Sequence, residues 1–137
     1  MLTFHKDMTL PTKPNSLFVF GSNLAGRHGA GSARYALDHC GAVYGVFSGP
    51  TGQAYAVPTV DSNIMQLPLE VVELYVNQLI QYSLEHYDTT FFVTRIGCGI
   101  AGFTDEQIAN LFFGKNTLHN FDLPEEWKQY HPDQWTL

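Results

Sequence analysis

Leu17-Phe18-Val19-Phe20, running into Gly21-Ser22-Asn23-Leu24-Ala25-Gly26-Arg27-His28-Gly29-Ala30-Gly31 and then Ser32-Ala33-Arg34-Tyr35-Ala36-Leu37, reads as a strand, a glycine turn and a helix start. Four apolar residues in a row suit a strand buried on both faces. Phe91-Phe92-Val93-Thr94-Arg95-Ile96 leads in the same way into Gly97-Cys98-Gly99-Ile100-Ala101-Gly102-Phe103 and a second helix. Such a turn leaves backbone N–H groups free at the positive end of a helix dipole, an arrangement that favours anions and phosphate above all. Glycine, lacking a Cβ, lets a ligand approach the backbone closely. Two such loops on neighbouring strands form a grip for a diphosphate, so the pair reads as a nucleotide-type site.

Outward from these loops, the pattern is that of an α/β domain. Residues 1–15 read as a loose leader in which Leu2-Thr3-Phe4 is able to pair as an edge strand. A helix is expected over Gly31 to Asp38, with Gly41 as its stop. Val43-Tyr44-Gly45-Val46-Phe47 precedes the turn cluster Gly49-Pro50-Thr51-Gly52, and Gln53–Val57 alternates as a strand ending at Pro58. Pro68 to Tyr87 carries the clearest helical spacing, through Leu69, Val72, Val76, Leu79 or Ile80, and Leu84. Phe91–Ile96 is a further buried strand, and Thr104-Asp105-Glu106-Gln107 has the form of a capping box opening a helix to about Phe113. Thr117–Phe121 is a candidate last strand, and Pro124-Glu125-Glu126-Trp127 opens a short terminal helix or turn. Alternating helices and strands around a mixed sheet give an α/β layered fold.

Composition narrows the function. At 137 residues with 45% hydrophobic content, the chain is one folded domain, 1–137. The net charge is −6, and Arg27, Arg34 and Arg95 are the only arginines, so no basic face is offered to nucleic acid. No apolar run reaches the roughly 18–20 residues that cross a bilayer. Met1 to Asn15 lacks the apolar centre of a signal peptide. Cys40 and Cys98 are too few for a disulfide framework and read as reduced thiols in a cytoplasmic protein. The six histidines show no metal-ligand spacing, so neither a metal nor a cofactor is expected.

Within the loops, several side chains carry two readings. Asn23 either binds a hydroxyl through its carbonyl and amide or stabilises its own turn. His28, flanked by glycine and expected near solvent, offers an acid or base without an evident carboxylate partner. Asp61 follows the strand ending in Val57-Pro58-Thr59, where it touches a ribose, activates water or simply faces solvent. Cys98 between two glycines reads as a small residue that the tight loop accommodates, because no histidine accompanies it as a base. Phe103 stacks on a sugar or packs beneath the loop. No Gly-Lys-Ser/Thr follows either loop, which excludes a Walker-type triphosphatase, and Gly26-x-x-Gly29-x-Gly31 reverses the dinucleotide spacing.

Taken together, these loops resemble those of the macrodomain superfamily, whose members bind ADP-ribose. Asn23-Leu24 with His28-Gly29-Ala30-Gly31-Ser32-Ala33 looks like the family's asparagine and first loop. Ile96-Gly97-Cys98-Gly99-Ile100-Ala101-Gly102-Phe103 looks like its second phosphate loop. Gly52–Thr59 resembles the middle strand of the shorter macro-like proteins often carried by bacteriophages. The resemblance implies a three-layer α/β/α fold with a mixed central sheet and a small-molecule ligand of ADP-ribose type. Asn23 would contact the distal ribose, Gly29–Gly31 would lie along it and the diphosphate, and Gly99–Gly102 would clamp the diphosphate with Phe103 beside the ribose; Gly21, Ser22, Gly97 and Cys98 would complete the ligand-binding set. Hydrolysis of a bond or phosphate at that ribose, with Asn23 orienting the sugar and His28 or Asp61 activating water, is one expectation. A non-catalytic binder that sequesters or senses a nucleotide signal is the other, and glycines serving only packing are a third. The long N-terminal strand pair of larger macrodomains is largely missing here, together with the acidic residue that reads adenine.

Overall fold

The computed structural model describes residues 1–115 and 118–132. Six strands form one sheet: β1 (Thr3–His5), β2 (Ser16–Asn23), β3 (Gly49–Thr51), β4 (Ala54–Val60), β5 (Thr90–Val93) and β6 (Phe121–Pro124). Their order across the sheet is β1-β6-β5-β2-β4-β3. All pairings are parallel except β3 with β4, so the sheet is mixed. Among the described residues three helices accompany it: α1 (Gly31–His39), α2 (Leu69–Leu84) and α3 (Asp105–Phe112), followed by a 3₁₀ helix over Glu125–Tyr130.

Alternation along the central strands sends side chains to two separate cores. Val19, Tyr55, Val57, Phe91 and Val93 face the layer built by α2 and α3, with Val76, Leu79, Ile108 and Phe112. Phe18, Phe20, Ala54, Ala56 and Phe92 face the opposite layer, where Ala36 of α1 covers them. Helices therefore lie on both faces, and the expected three-layer α/β/α architecture stands. The two faces are unequal. A single short helix stands on the Phe18–Phe92 face, and a cavity described below borders those two buried rings.

Several local expectations change. The leader is not loose: Thr3–His5 pairs in parallel with β6, Thr3 opposite Asp122 and His5 opposite Pro124. β2 runs on to Asn23, so Gly21, Ser22 and Asn23 are strand residues rather than turn residues. Gly49-Pro50-Thr51, expected as a turn, is a short edge strand. β4 does not stop at Pro58 but continues to Val60 with all seven residues buried. Pro58 is tolerated because β3 pairs only as far as Ala56, leaving that side of β4 without a ladder to break. The strand near the C-terminus begins at Phe121 instead of ending there, and Thr117 lies outside the described residues. Helix α3 carries the expected capping box: Thr104 Oγ1 accepts from Gln107 N at 3.1 Å, and Gln107 Oε1 accepts from Thr104 N at 2.9 Å.

Candidate functional site

From β2 the chain moves through α1 to β4 on one side, then returns through α2 to β5 on the other. The gap beyond the carboxyl ends of β2 and β5 is therefore a switch point of the sheet, the place where α/β folds open a crevice. Both glycine loops emerge there. Two adjoining cavities of about 290 Å³ and about 260 Å³ fill the gap, sharing Gly21, Ala30, Ala33, Thr59 and Ile100. A third of about 560 Å³ continues from them past Gly31, Ser32 and Arg95 to a wall that includes Phe18 and Phe92. The three form a single elongated cleft.

Backbone donors line its middle. Ala30 caps α1 without a side-chain hydrogen bond, so the first N–H groups of that helix are left open to a ligand. In the second loop, Gly102 N donates to Gly99 O at 3.0 Å and Phe103 N to Gly97 O at 2.9 Å. Gly99, Ile100 and Ala101 have no backbone acceptor for their own N–H groups among the described residues. The second helix contributes less than expected, because the Thr104–Gln107 box already closes the end of α3. The open backbone donors on that side belong to the loop.

Glycine is required by the fold at some of these positions and not at others. A Cβ at Gly26, where φ is +68°, would stand 2.5 Å from the Gly45 carbonyl carbon. A Cβ at Gly97, φ +76°, would meet Ile108 at 3.0 Å. Gly29 and Gly99 differ: neither has a positive φ, and a Cβ on either would meet nothing within 4 Å. Each lines the cleft, on opposite loops.

The polar side chains expected to act on a ligand are largely engaged in holding the loops. Asn23 Oδ1 accepts from Ala25 N at 3.1 Å and Arg27 N at 3.0 Å, while its Nδ2 donates to Arg27 O at 2.8 Å. Asn23 lines the cleft, but its amide builds the turn. His28 is not near solvent: it is 1% exposed, with Nε2 3.1 Å from Val43 O and its ring edge-on to Phe20. Among the described residues Nδ1 has no hydrogen-bond partner. Asp61 does not line the cleft; its Oδ1 accepts from Asn63 N at 2.8 Å and Met65 N at 3.0 Å. That turn sets Ile64 at φ +62°, a left-handed conformation costly for a β-branched residue, against the cleft wall.

Cys98 packs against the core, and burial pushes its thiol up to about 12, so the reactive thiolate is scarce near neutrality. Phe103 is buried and packs beneath the loop, against the space a Gly97 Cβ would take. Ser22 Oγ donates to Phe47 O at 2.5 Å.

Other lining residues carried no motif. Arg95 borders both the middle and the large cavity. Its Nε and Nη2 bind Asp105 at 3.1 and 2.7 Å, and Nη1 reaches Asp7 at 3.3 Å. Burial alone would raise the Asp105 carboxyl, but hydrogen bonds from Arg95 and from Trp127 Nε1, the latter 2.9 Å away, hold it below its usual value. The stretch Asp7-Met8-Thr9-Leu10, read as leader, forms a wall of the large cavity. An acidic residue therefore does stand at this end of the cleft. Ile100, 85% exposed, borders both smaller cavities. A lone cation beside a glycine loop and the turn-rich Asp61-Ser62-Asn63 were the only sequence signals for Arg95 and Ile64.

No family model and no curated relative matches the sequence. Among solved structures, the chain is similar to the macrodomain of Mycobacterium tuberculosis DarG, with 18% identity and a TM-score of 0.65. The match covers 90% of this chain and 95% of that one. At that identity the likeness concerns architecture, and it agrees with the mixed sheet flanked by helices: the protein has the macrodomain fold.

Proposed function

We propose that this chain binds ADP-ribose or a closely related nucleotide derivative along the cleft. The nucleoside would lie in the large cavity, the diphosphate between the N-terminus of α1 and the loop Gly97–Gly102, and the distal ribose near Gly21, Asn23 and Ile100. One observation carries the reading: Gly29 and Gly99 line two adjoining cavities of the cleft, at positions where neither backbone nor packing asks for glycine. A ligand pressed against both loops is the physical reason for leaving them bare. The resemblance of both loops to macrodomain loops supports the same ligand class, and the free thiols Cys40 and Cys98 fit a cytoplasmic setting.

Binding without turnover is favoured over hydrolysis at the distal ribose. The amide of Asn23, Nε2 of His28 and Oδ1 of Asp61 already serve local structure, so these three expected groups are not arranged to activate water at that ribose. Thermal unfolding with ADP-ribose, against AMP, NAD and ribose 5-phosphate, tests the binding. At about 100 times its dissociation constant a native-state ligand adds roughly 2.7 kcal/mol. No shift with any of the four would refute the reading. Single-turnover incubation at saturating protein, with His28→Ala and Asp61→Ala beside it, separates a binder from a hydrolase: product that disappears in either variant restores catalysis.

A further inference from the structure

One wall of the large cavity is fastened to the body of the protein at a single point. Asp7, Met8, Thr9 and Leu10 share the lining of that cavity with Phe18, Tyr35 and Phe92. They belong to the connection between β1 and β2, which carries neither strand nor helix. Most of its side-chain bonds are to itself: Asp7 Oδ1 accepts from Met8 N at 3.0 Å, and Thr9 Oγ1 donates to Lys6 O at 2.5 Å. Among the described residues, one side-chain bond joins residues 6–10 to the rest of the chain, from Arg95 Nη1 to Asp7 Oδ2 at 3.3 Å. Met8 is almost fully exposed at φ +63°, and Leu10 is exposed and packs on neither hydrophobic core.

The two ends of that bond are held unequally. Arg95 is anchored, because its Nε and Nη2 grip both oxygens of Asp105 and Trp127 Nε1 holds the same carboxylate. Asp7 stands on a turn with no regular element behind it. An ion pair part-exposed at both ends is screened by salt and stabilises little. The segment therefore opens at small cost while the guanidinium stays in place. Arg95 also borders the middle cavity, so the fastening sits where the two cavities meet.

We propose that residues 6–10 are a lid on the large cavity, latched to Arg95 by Asp7, which opens to admit or release a ligand and closes over it. The lid goes beyond the ligand class proposed above, because its latch is made without any nucleotide present.

The test needs no ligand for its first half. A neutral nitroxide dissolved with the full chain speeds the relaxation of ring protons that solvent reaches. With the lid shut, Phe18 and Phe92 are only 4% and 2% exposed. Their relaxation, and that of Tyr35, should rise several-fold in Asp7→Ala. Wild type should follow as salt is raised to about 1 M, where the screening length falls to about 3 Å. Phe91 and Phe112, in the other core, should stay protected in both experiments, which reports an intact fold. In the second half, stopped-flow dissociation of ADP-ribose should be several-fold faster from Asp7→Ala than from wild type. Equal ring relaxation in wild type and variant, with no response to salt, overturns the latch. Rings that loosen while the dissociation rate stays unchanged overturn the lid. Failure of ADP-ribose to bind wild type would refute the proposed ligand alone, since the ring relaxation still decides whether the segment opens.

Discussion

Gln66 donates from Nε2 to the Ala101 carbonyl at 2.9 Å, joining the turn after β4 to the second glycine loop. The bond spans 35 residues and ties together two walls of the cleft that no strand pairing connects. Gln66→Ala should lower stability by about 1 kcal/mol or less, the net worth of one hydrogen bond near the surface. ADP-ribose affinity should fall more visibly, because the Ala101 loop would no longer be held for the ligand. Thermal unfolding and titration calorimetry on the same variant check both halves; an affinity equal to wild type would sink the link.

The two unneeded glycines allow a sharper separation of folding from binding. Gly29→Val and Gly99→Val project their side chains into open space, so unfolding should stay within about 0.5 kcal/mol of wild type. Both should abolish the stabilisation by ADP-ribose. Gly26→Ala is the counter-case: a Cβ 2.5 Å from Gly45, at φ +68°, should destabilise the fold itself. If Gly29→Val and Gly99→Val unfold the protein instead, the glycines serve packing and the ligand reading loses its main support.

Asn23 makes three bonds to its own turn. Asn23→Ala should cost about 1–3 kcal/mol and speed amide exchange over Ala25 to Arg27 even without ligand. Asn23→Asp keeps the accepting oxygens but loses the donor to Arg27 O, so it should recover part of the protection. Unchanged exchange in Asn23→Ala would mean that the side chain is free for the ligand after all.

Acid should weaken the fold through Asp105. Its folded value lies below the reference of 3.8, so the stability it contributes is complete above 3.8 and is lost as pH falls through the folded value. Urea unfolding followed from neutral pH to below 3.8 should show that decline, and Asp105→Asn should flatten it. Because Trp127 is fully buried and donates to the same carboxylate, the variant should also shift the tryptophan fluorescence. An acid limb identical to wild type would assign the decline to other carboxylates.

Much of the fold was legible because its signals are local. Continuous apolar runs marked β2 and β5, helical spacing marked α2, and Thr104 with Gln107 marked the start of α3 to the residue. Glycines followed by a helix start located the two loops in the chain. Burial and pairing are set by distant partners, and there the reading failed. His28 looks exposed between small residues, yet Phe20 and Val43 enclose it. Gln53–Val57 alternates, yet β4 is covered on both faces from Ala54 to Val60.

By itself, then, the sequence determined an α/β layered domain with two glycine loops at strand ends, since strand, turn and helix-end chemistry are written within a few neighbouring residues. Only the tertiary structure decided what stands around those loops. His5 meets Asp122 across 117 residues because β1 adds to the edge of β6, and that pairing turns an apparent leader into a wall of the cavity of about 560 Å³. Parallel strands acquire partners through crossovers rather than neighbours, so no local pattern encodes which side chains converge at their carboxyl ends.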